Sequence, residues 1–225
     1  MIQAQPTPPE VAEVARSLAM ISDRVQRWVV ALGHSLAAHH GTLTAAAIDR
    51  IVKPDVDELL ADPESAIAGA GFIATENLVS GSKTFMAWWQ GPDCERVDAL
   101  ANLSSATAGR YVDADWFRLP MSSGRLHITG PYVDLLCTDA FALTYTAPVT
   151  WHRSPDPAGV AGVDVTVATL ERRLLRMLTA VAPTAALVNA EDRVIVTAAP
   201  LVTPGDFAVD PQHRWDVGHG LAVIA

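Results

Sequence analysis

Aromatic and charged side chains are concentrated between residues 111 and 149. The aromatic members of this segment are Tyr111, Trp116, Phe117, Tyr132 and Tyr145. The charged or titratable side chains among them include Asp113, Asp115, Arg118, Arg125, His127 and Asp134. Small-molecule pockets combine apolar and aromatic walls with a few polar groups that fix the orientation of the ligand. The segment therefore predicts a binding pocket.

Tyr132 and Asp134 lie two positions apart at the expected start of a strand. Side chains at this spacing project from the same face of a strand. Tyr145 lies on the next expected strand, and Arg125 and His127 precede the first one. One carboxylate and one or two cationic groups beside aromatic rings suit a small, partly polar ligand. We expect an organic acid, an amine or a purine-like ring.

Catalytic and metal-binding signatures are absent from the sequence. There is no GxSxG, GxxxxGK[ST], GxGxxG or HExxH motif. His39 and His40 are adjacent, and neighbouring side chains on a helix point about 100° apart, which does not suit one metal ion. His213 and His219 lie in a polar loop near Asp216. We therefore expect no catalytic residue, no metal and no cofactor.

Four short motifs occur in an order that resembles the ligand-binding half of Cache sensor domains. They are WF at 116–117, PYVD at 131–134, TAPV at 146–149 and GVAGVDV at 159–165, with a helix expected after the last. Cache domains are extended PAS-like folds used by bacterial receptors, and the resemblance spans residues 10 to 200. It implies an α+β fold with a central antiparallel sheet and a function in small-molecule sensing.

The resemblance implies that Trp116 lines the pocket. Phe117, its neighbour on a segment expected to be extended, would then face the core. The whole predicted ligand site consists of Trp116, Arg125, His127, Tyr132, Asp134 and Tyr145.

Two further positions, Ala114 and Asp164, bear on how a ligand could be held. Many amine- and amino-acid-binding members carry an arginine two residues before the tryptophan, where this chain has Ala114. The usual anchor for an α-carboxylate is therefore missing, and Arg125 or His127 could replace it as an anion partner. Asp164 is a charge within an apolar strand. It either binds the ligand or hydrogen-bonds a loop, and the sequence leaves both open.

The chain divides into a disordered Pro-rich tail (1–8), a long helix (9–41), a Cache-like ligand-binding domain (42–200) and a C-terminal extension (201–225). The sheet is expected to have five or six strands, and the short helices between 44 and 68 are expected to break at Pro54 and Pro63. Apolar residues recur at steps of three and four along the long helix: Val11, Val14, Leu18, Ile21, Val25, Trp28, Leu32 and Leu36. This stripe either packs on the sheet or forms a homodimer seam, and both can hold on different faces.

Composition limits the partners and the location. The net charge of −9 argues against nucleic acid, because a phosphate-binding surface needs clustered basic residues. No apolar run approaches the roughly 20 residues that span a bilayer, which predicts no membrane insertion and a cytoplasmic location. Cys94 and Cys137 have no CxxC spacing, which favours reduced thiols and leaves a disulfide between them open.

We expect a non-enzymatic, homodimeric sensor that signals to a separate regulatory protein, because the chain has no output domain of its own. Two alternatives stay open. One is an enzyme with an acid–base site among Asp113, Asp115, Asp134 and His127, and the other is a structural dimerisation protein that uses the long helix.

Overall fold

The computed structural model describes residues 6–62, 65–97, 111–133, 140–209 and 211–225. These residues form four α-helices, namely α1 (Pro9–Ala38), α2 (Ala45–Ala61), α3 (Asp115–Ser123) and α4 (Val167–Val181). The larger sheet contains β1 (Gly69–Ala74), β2 (Met86–Gln90), β3 (Glu95–Val97), β4 (His127–Val133), β5 (Phe141–Val149) and β6 (Gly159–Thr166), in the order β3-β2-β1-β6-β5-β4. The smaller sheet contains β7 (Ala186–Val188), β8 (Val194–Thr197), β9 (Arg214–Gly218) and β10 (Leu221–Ile224), in the order β8-β7-β10-β9. Neighbouring strands are antiparallel throughout both sheets, which confirms the predicted α+β class.

The apolar stripe of α1 lies inside the chain. Each of its eight residues is no more than 6% exposed. The helix packs mainly against β5 and α4. At its C-terminal end, the guanidinium of Arg153 donates hydrogen bonds to the carbonyls of Ala37 and His39. The stripe therefore packs on the sheet, as one of the two interpretations of the sequence expected.

Helix α2 continues through Pro54, so the predicted break at this residue is wrong. Proline inside a helix removes one backbone hydrogen bond. The apolar face of α2 compensates for this loss, because Ile48, Val52 and Val56 are fully buried. At its start, the hydroxyl of Thr44 accepts a hydrogen bond from the Ala47 amide. Pro63 lies outside the described residues.

The residues expected to form a C-terminal extension take part in the smaller sheet. Strand β10 lies between β7 and β9, and its Ala222 pairs with Val188. Residues 201–225 thus complete a sheet that begins before residue 200. Sequence periodicity did not indicate this pairing, because β10 joins a strand that is distant along the chain.

The two faces of the larger sheet differ in character. One face packs against α1 through apolar side chains such as Phe72, Tyr145 and Val163. The opposite face carries Trp88, which packs with Tyr111 and Phe117.

Among the described helices, none combines the length and the hydrophobicity that a membrane span requires.

Candidate functional site

A row of five cross-strand neighbours, which we call the polar row, crosses the larger sheet on the face opposite α1. In order it consists of Thr129, Thr144, Asp164, Gly69 and Gln90. Directly paired residues of adjacent strands present their side chains on the same face. Apart from the glycine, every member is polar or charged, which is unusual in the centre of a sheet.

Asp164 is the charged centre of the polar row and is only 4% exposed. Its Oδ1 accepts a hydrogen bond of 2.6 Å from the Thr144 hydroxyl. The Thr144 oxygen is in turn hydrogen-bonded to the Tyr132 hydroxyl. Because the single Thr144 proton is directed at the carboxylate, the Tyr132 hydroxyl must donate in that second bond. The chain Tyr132–Thr144–Asp164 therefore orients a buried carboxylate at the middle of the sheet.

The indole of Trp88 lies across two glycines next to this carboxylate. A Cβ atom added at Gly69 would lie 2.9 Å from Trp88 Nε1 and 3.5 Å from Asp164 Oδ2. A Cβ atom at Gly71 would lie 2.6 Å from Trp88 Cε3. Any side chain at either glycine would displace the ring, so the glycines bring the indole N–H close to Asp164.

Two polar atoms at the polar row are buried without a partner. Within the described part of the chain, neither Trp88 Nε1 nor Gln90 Oε1 makes a hydrogen bond. A buried donor or acceptor left unpaired costs about 1–3 kcal/mol. A polar ligand beside Asp164 could accept a hydrogen bond from the Trp88 N–H and donate one to the Gln90 carbonyl oxygen.

Aromatic rings cover the face beside the polar row. Tyr111 stacks on Trp116 with ring centroids 6.5 Å apart, and Phe117 meets Tyr111 edge to face at 5.3 Å. The Tyr111 hydroxyl donates a 2.8 Å hydrogen bond to the Ala74 carbonyl, and burial raises the pKa of Tyr111 to about 12. The three rings pack with Trp88 on this face of the sheet. We call this cluster the aromatic wall.

The prediction that Trp116 and Phe117 lie on an extended segment is wrong, because both belong to α3. Neighbouring side chains of a helix diverge by about 100° instead of facing opposite sides. Phe117 is buried and Trp116 partly buried, and both contact the same aromatic cluster. Helix α3 was missed because it is short and contains Pro120, although Gly124 ends it in the left-handed conformation typical of a C-cap.

The structure places the described members of the predicted site at four locations. Tyr132 joins the polar row, and Trp116 belongs to the aromatic wall. Arg125 and His127, together with Tyr132, line a groove of about 990 Å³ along the free edge of β4. Tyr145 is fully buried on the opposite face, towards α1.

Asp134 and Cys137 lie outside the described residues. Four polar residues of the site were not predicted from the sequence, namely Thr129, Thr144, Trp88 and Gln90. Asp164 is recognisable in the sequence as a charge in an apolar strand, which left its role open between the ligand and a loop.

The hydroxyl of Tyr145 gives a prediction about stability. It is buried without a hydrogen-bond partner among the described residues, and burial raises the pKa of Tyr145 strongly. Tyr145→Phe is therefore expected to leave the free energy of unfolding unchanged or to raise it by about 1 kcal/mol, since an unpaired buried hydroxyl is removed. Urea unfolding measures the change. A loss of more than about 1 kcal/mol would mean that the hydroxyl has a partner.

No family model matches the chain, and no curated protein matches it. Several solved structures do. A methyl-accepting chemotaxis protein (X) aligns with a TM-score of 0.62 and 19% identity, covering 84% of this chain and 70% of that chain. An extracellular domain assigned to a histidine kinase aligns at 0.59 and 17% identity, covering 84% and 68%. The isoleucine-bound sensory domain of the Campylobacter jejuni chemoreceptor Tlp3 aligns at 0.54 and 15% identity, covering 89% and 76%.

These structures overturn the predicted cytoplasmic location. Two of the similar sensory domains are described as extracellular. The prediction relied on the absence of a long apolar run, and that absence does not indicate on which side of a membrane a domain works. The fold itself agrees with the resemblance found in the sequence. The chain therefore has the Cache-type, PAS-like fold of the sensory domains of chemoreceptors and histidine kinases.

Proposed function

We propose that this protein is a non-enzymatic sensory domain whose polar row binds a small molecule with a protonated amine. The observation that carries the proposal is the buried carboxylate of Asp164 beside the unpaired Trp88 N–H and Gln90 carbonyl. A buried carboxylate is stabilised by charged hydrogen bonds, and an ammonium group can donate them.

The chemistry of the polar row favours a cation with a polar neighbour. An ammonium group donates to carboxylate and amide oxygens, which Asp164 and Gln90 provide. The indole N–H of Trp88 can donate to a hydroxyl or carboxylate oxygen of the same ligand. The rings of Trp116 and Tyr111 suit either an apolar substituent or the cation itself.

Similar structures support a ligand of this size. Sensory domains of Tlp3 are described with isoleucine, norvaline and valine bound. The present chain has Ala114 where many Cache domains of this type have an arginine. We therefore place an amine or an amino alcohol ahead of a plain α-amino acid, because an α-carboxylate would lack its usual partner.

The proposal includes a homodimer and a separate regulatory protein as the means of signalling. The stripe of α1 is buried within the chain, so a dimer would use the exposed side of this helix. Met20 and Val30 are 64% and 59% exposed on that side. Both are apolar and accessible to a second copy.

A thermal-shift screen tests the proposed function. The panel contains small amines, amino alcohols, amino acids, organic acids and purines. A ligand present at a hundred times its Kd adds about 2.7 kcal/mol to the free energy of unfolding, so binders raise the Tm. We expect amine-bearing compounds to raise the Tm and their deaminated analogues to leave it unchanged. Stabilisation by organic acids alone, or turnover of a compound without stabilisation, would contradict the proposal.

A further inference from the structure

The groove along the free edge of β4 lies where the two sheets meet. The larger sheet contributes β4 itself, and the smaller sheet contributes the turns around Ala190 and Gly220. The side-chain amide of Asn189 donates a 2.8 Å hydrogen bond to the Gly130 carbonyl and joins the β7–β8 turn to β4. Residues of both sheets therefore line the groove.

Basic side chains from both sheets line this groove. Arg125 and His127 belong to the larger sheet and the segment before it, and Arg193 and His219 belong to the smaller one. The guanidinium of Arg193 donates a 2.9 Å hydrogen bond to the Gly205 carbonyl, whereas none of the ion pairs between described residues engages Arg125. On a chain with a net charge of −9, four basic side chains in one groove are unusual.

Acidic groups at the groove do not neutralise it. Asp115 forms a 2.6 Å ion pair with Arg118, so its charge is already balanced. Glu191 is the other acidic side chain in the lining, and the lining also contains the two arginines Arg125 and Arg193. The hydroxyl of Thr129, which also lines the groove, is buried without a partner within the described ranges.

The geometry points to a second site, in which this groove binds a small anion between Arg125, His127 and His219. The anion would have carboxylate or tetrahedral oxyanion chemistry, because these groups accept hydrogen bonds from guanidinium and imidazolium donors. The groove shares Thr129 with one end of the polar row. The three proposed anion partners are not members of that row, so the inference does not depend on the proposed function. An anion held there would connect the two sheets through charged hydrogen bonds.

Protonation of His127 makes the affinity of this site for an anion dependent on pH. Burial, Arg125 and His219 together lower the pKa of His127 below the ordinary histidine value. His127 is hydrogen-bonded to the Ser123 hydroxyl through Nε2, at 2.7 Å. An anion favours the charged imidazolium, so its binding must take up protons and become tighter as the pH falls.

Sulfate tests this inference, because its charge is constant near neutral pH. The full chain, labelled at the histidine Cε1 carbons, is titrated with sulfate at about pH 5.5 and about pH 8, on either side of the ordinary histidine pKa. We expect about five- to tenfold tighter binding at the lower pH, with shifts of the His127 and His219 signals. Succinate titrated in parallel distinguishes a carboxylate ligand from a tetrahedral oxyanion.

Variants make the test specific. Arg125→Gln removes an exposed cation and should weaken sulfate binding about tenfold. Arg16→Gln, an exposed arginine on α1, should leave binding unchanged. Equal affinity at both pH values, equal affinity of Arg125→Gln and the parent, or unshifted His127 and His219 signals would overturn the inference.

Discussion

Replacing Leu32 by alanine is expected to lower the free energy of unfolding by about 3–5 kcal/mol. Leu32 is fully buried in the stripe of α1, where it belongs to the main hydrophobic core. The substitution removes buried apolar atoms and leaves a cavity that the surrounding helices and sheet fill only in part. Urea unfolding followed by circular dichroism measures the loss.

Leu201→Ala provides the matched control. Leu201 is 96% exposed, so its replacement should change the free energy of unfolding by less than about 0.5 kcal/mol. Both variants should be compared at several protein concentrations. If the Leu32→Ala loss were small, or if it appeared only at concentrations that support a dimer, the stripe would pack between chains and not inside one.

Replacing Asp164 by asparagine should weaken the binding of an amine ligand by about 1.5–3 kcal/mol, which is roughly tenfold to more than a hundredfold. Asparagine has nearly the same shape as aspartate, and its carbonyl oxygen can still accept the hydrogen bond from Thr144. The variant therefore removes the charge and keeps the local packing. Calorimetric titration of the best amine from the screen measures the change.

Asp156→Asn is the control for this charge. Asp156 is exposed in the loop between β5 and β6, so its neutralisation changes the net charge equally without touching the polar row. We expect it to bind the amine as tightly as the parent does. Equal affinities for Asp164→Asn and Asp156→Asn would show that the carboxylate of the polar row takes no part in binding.

The fold class could be predicted from the sequence, and Asp164 could be recognised as a residue whose charge needs an explanation. The steps of three and four along α1 and the apolar runs of β5 and β6 follow from local patterns, and the structure agrees with them. Asp164 stood out because a charge in an apolar strand needs a physical explanation. These features are readable because each depends on residues close together in the chain.

The rest of the site depends on the register in which the strands pair, and this register cannot be read from local sequence patterns. The closeness of Trp88 Nε1 to Asp164 exists only because Gly69 pairs with both Asp164 and Gln90, and Gly71 with Trp88. Tyr145 was predicted to contact the ligand because it is an aromatic residue on the strand that follows Tyr132, but alternation along β5 turns it to the opposite face. The place of β10 in the smaller sheet was missed for the same reason, since its partner β7 is remote in sequence.

A crystal structure of the protein with its best amine ligand tests the central claim most directly. We predict that the ammonium nitrogen lies within about 3 Å of the Asp164 carboxylate, with a polar ligand atom at the same distance from Trp88 Nε1. An amine bound away from the polar row, for example in the groove along β4, would contradict the account.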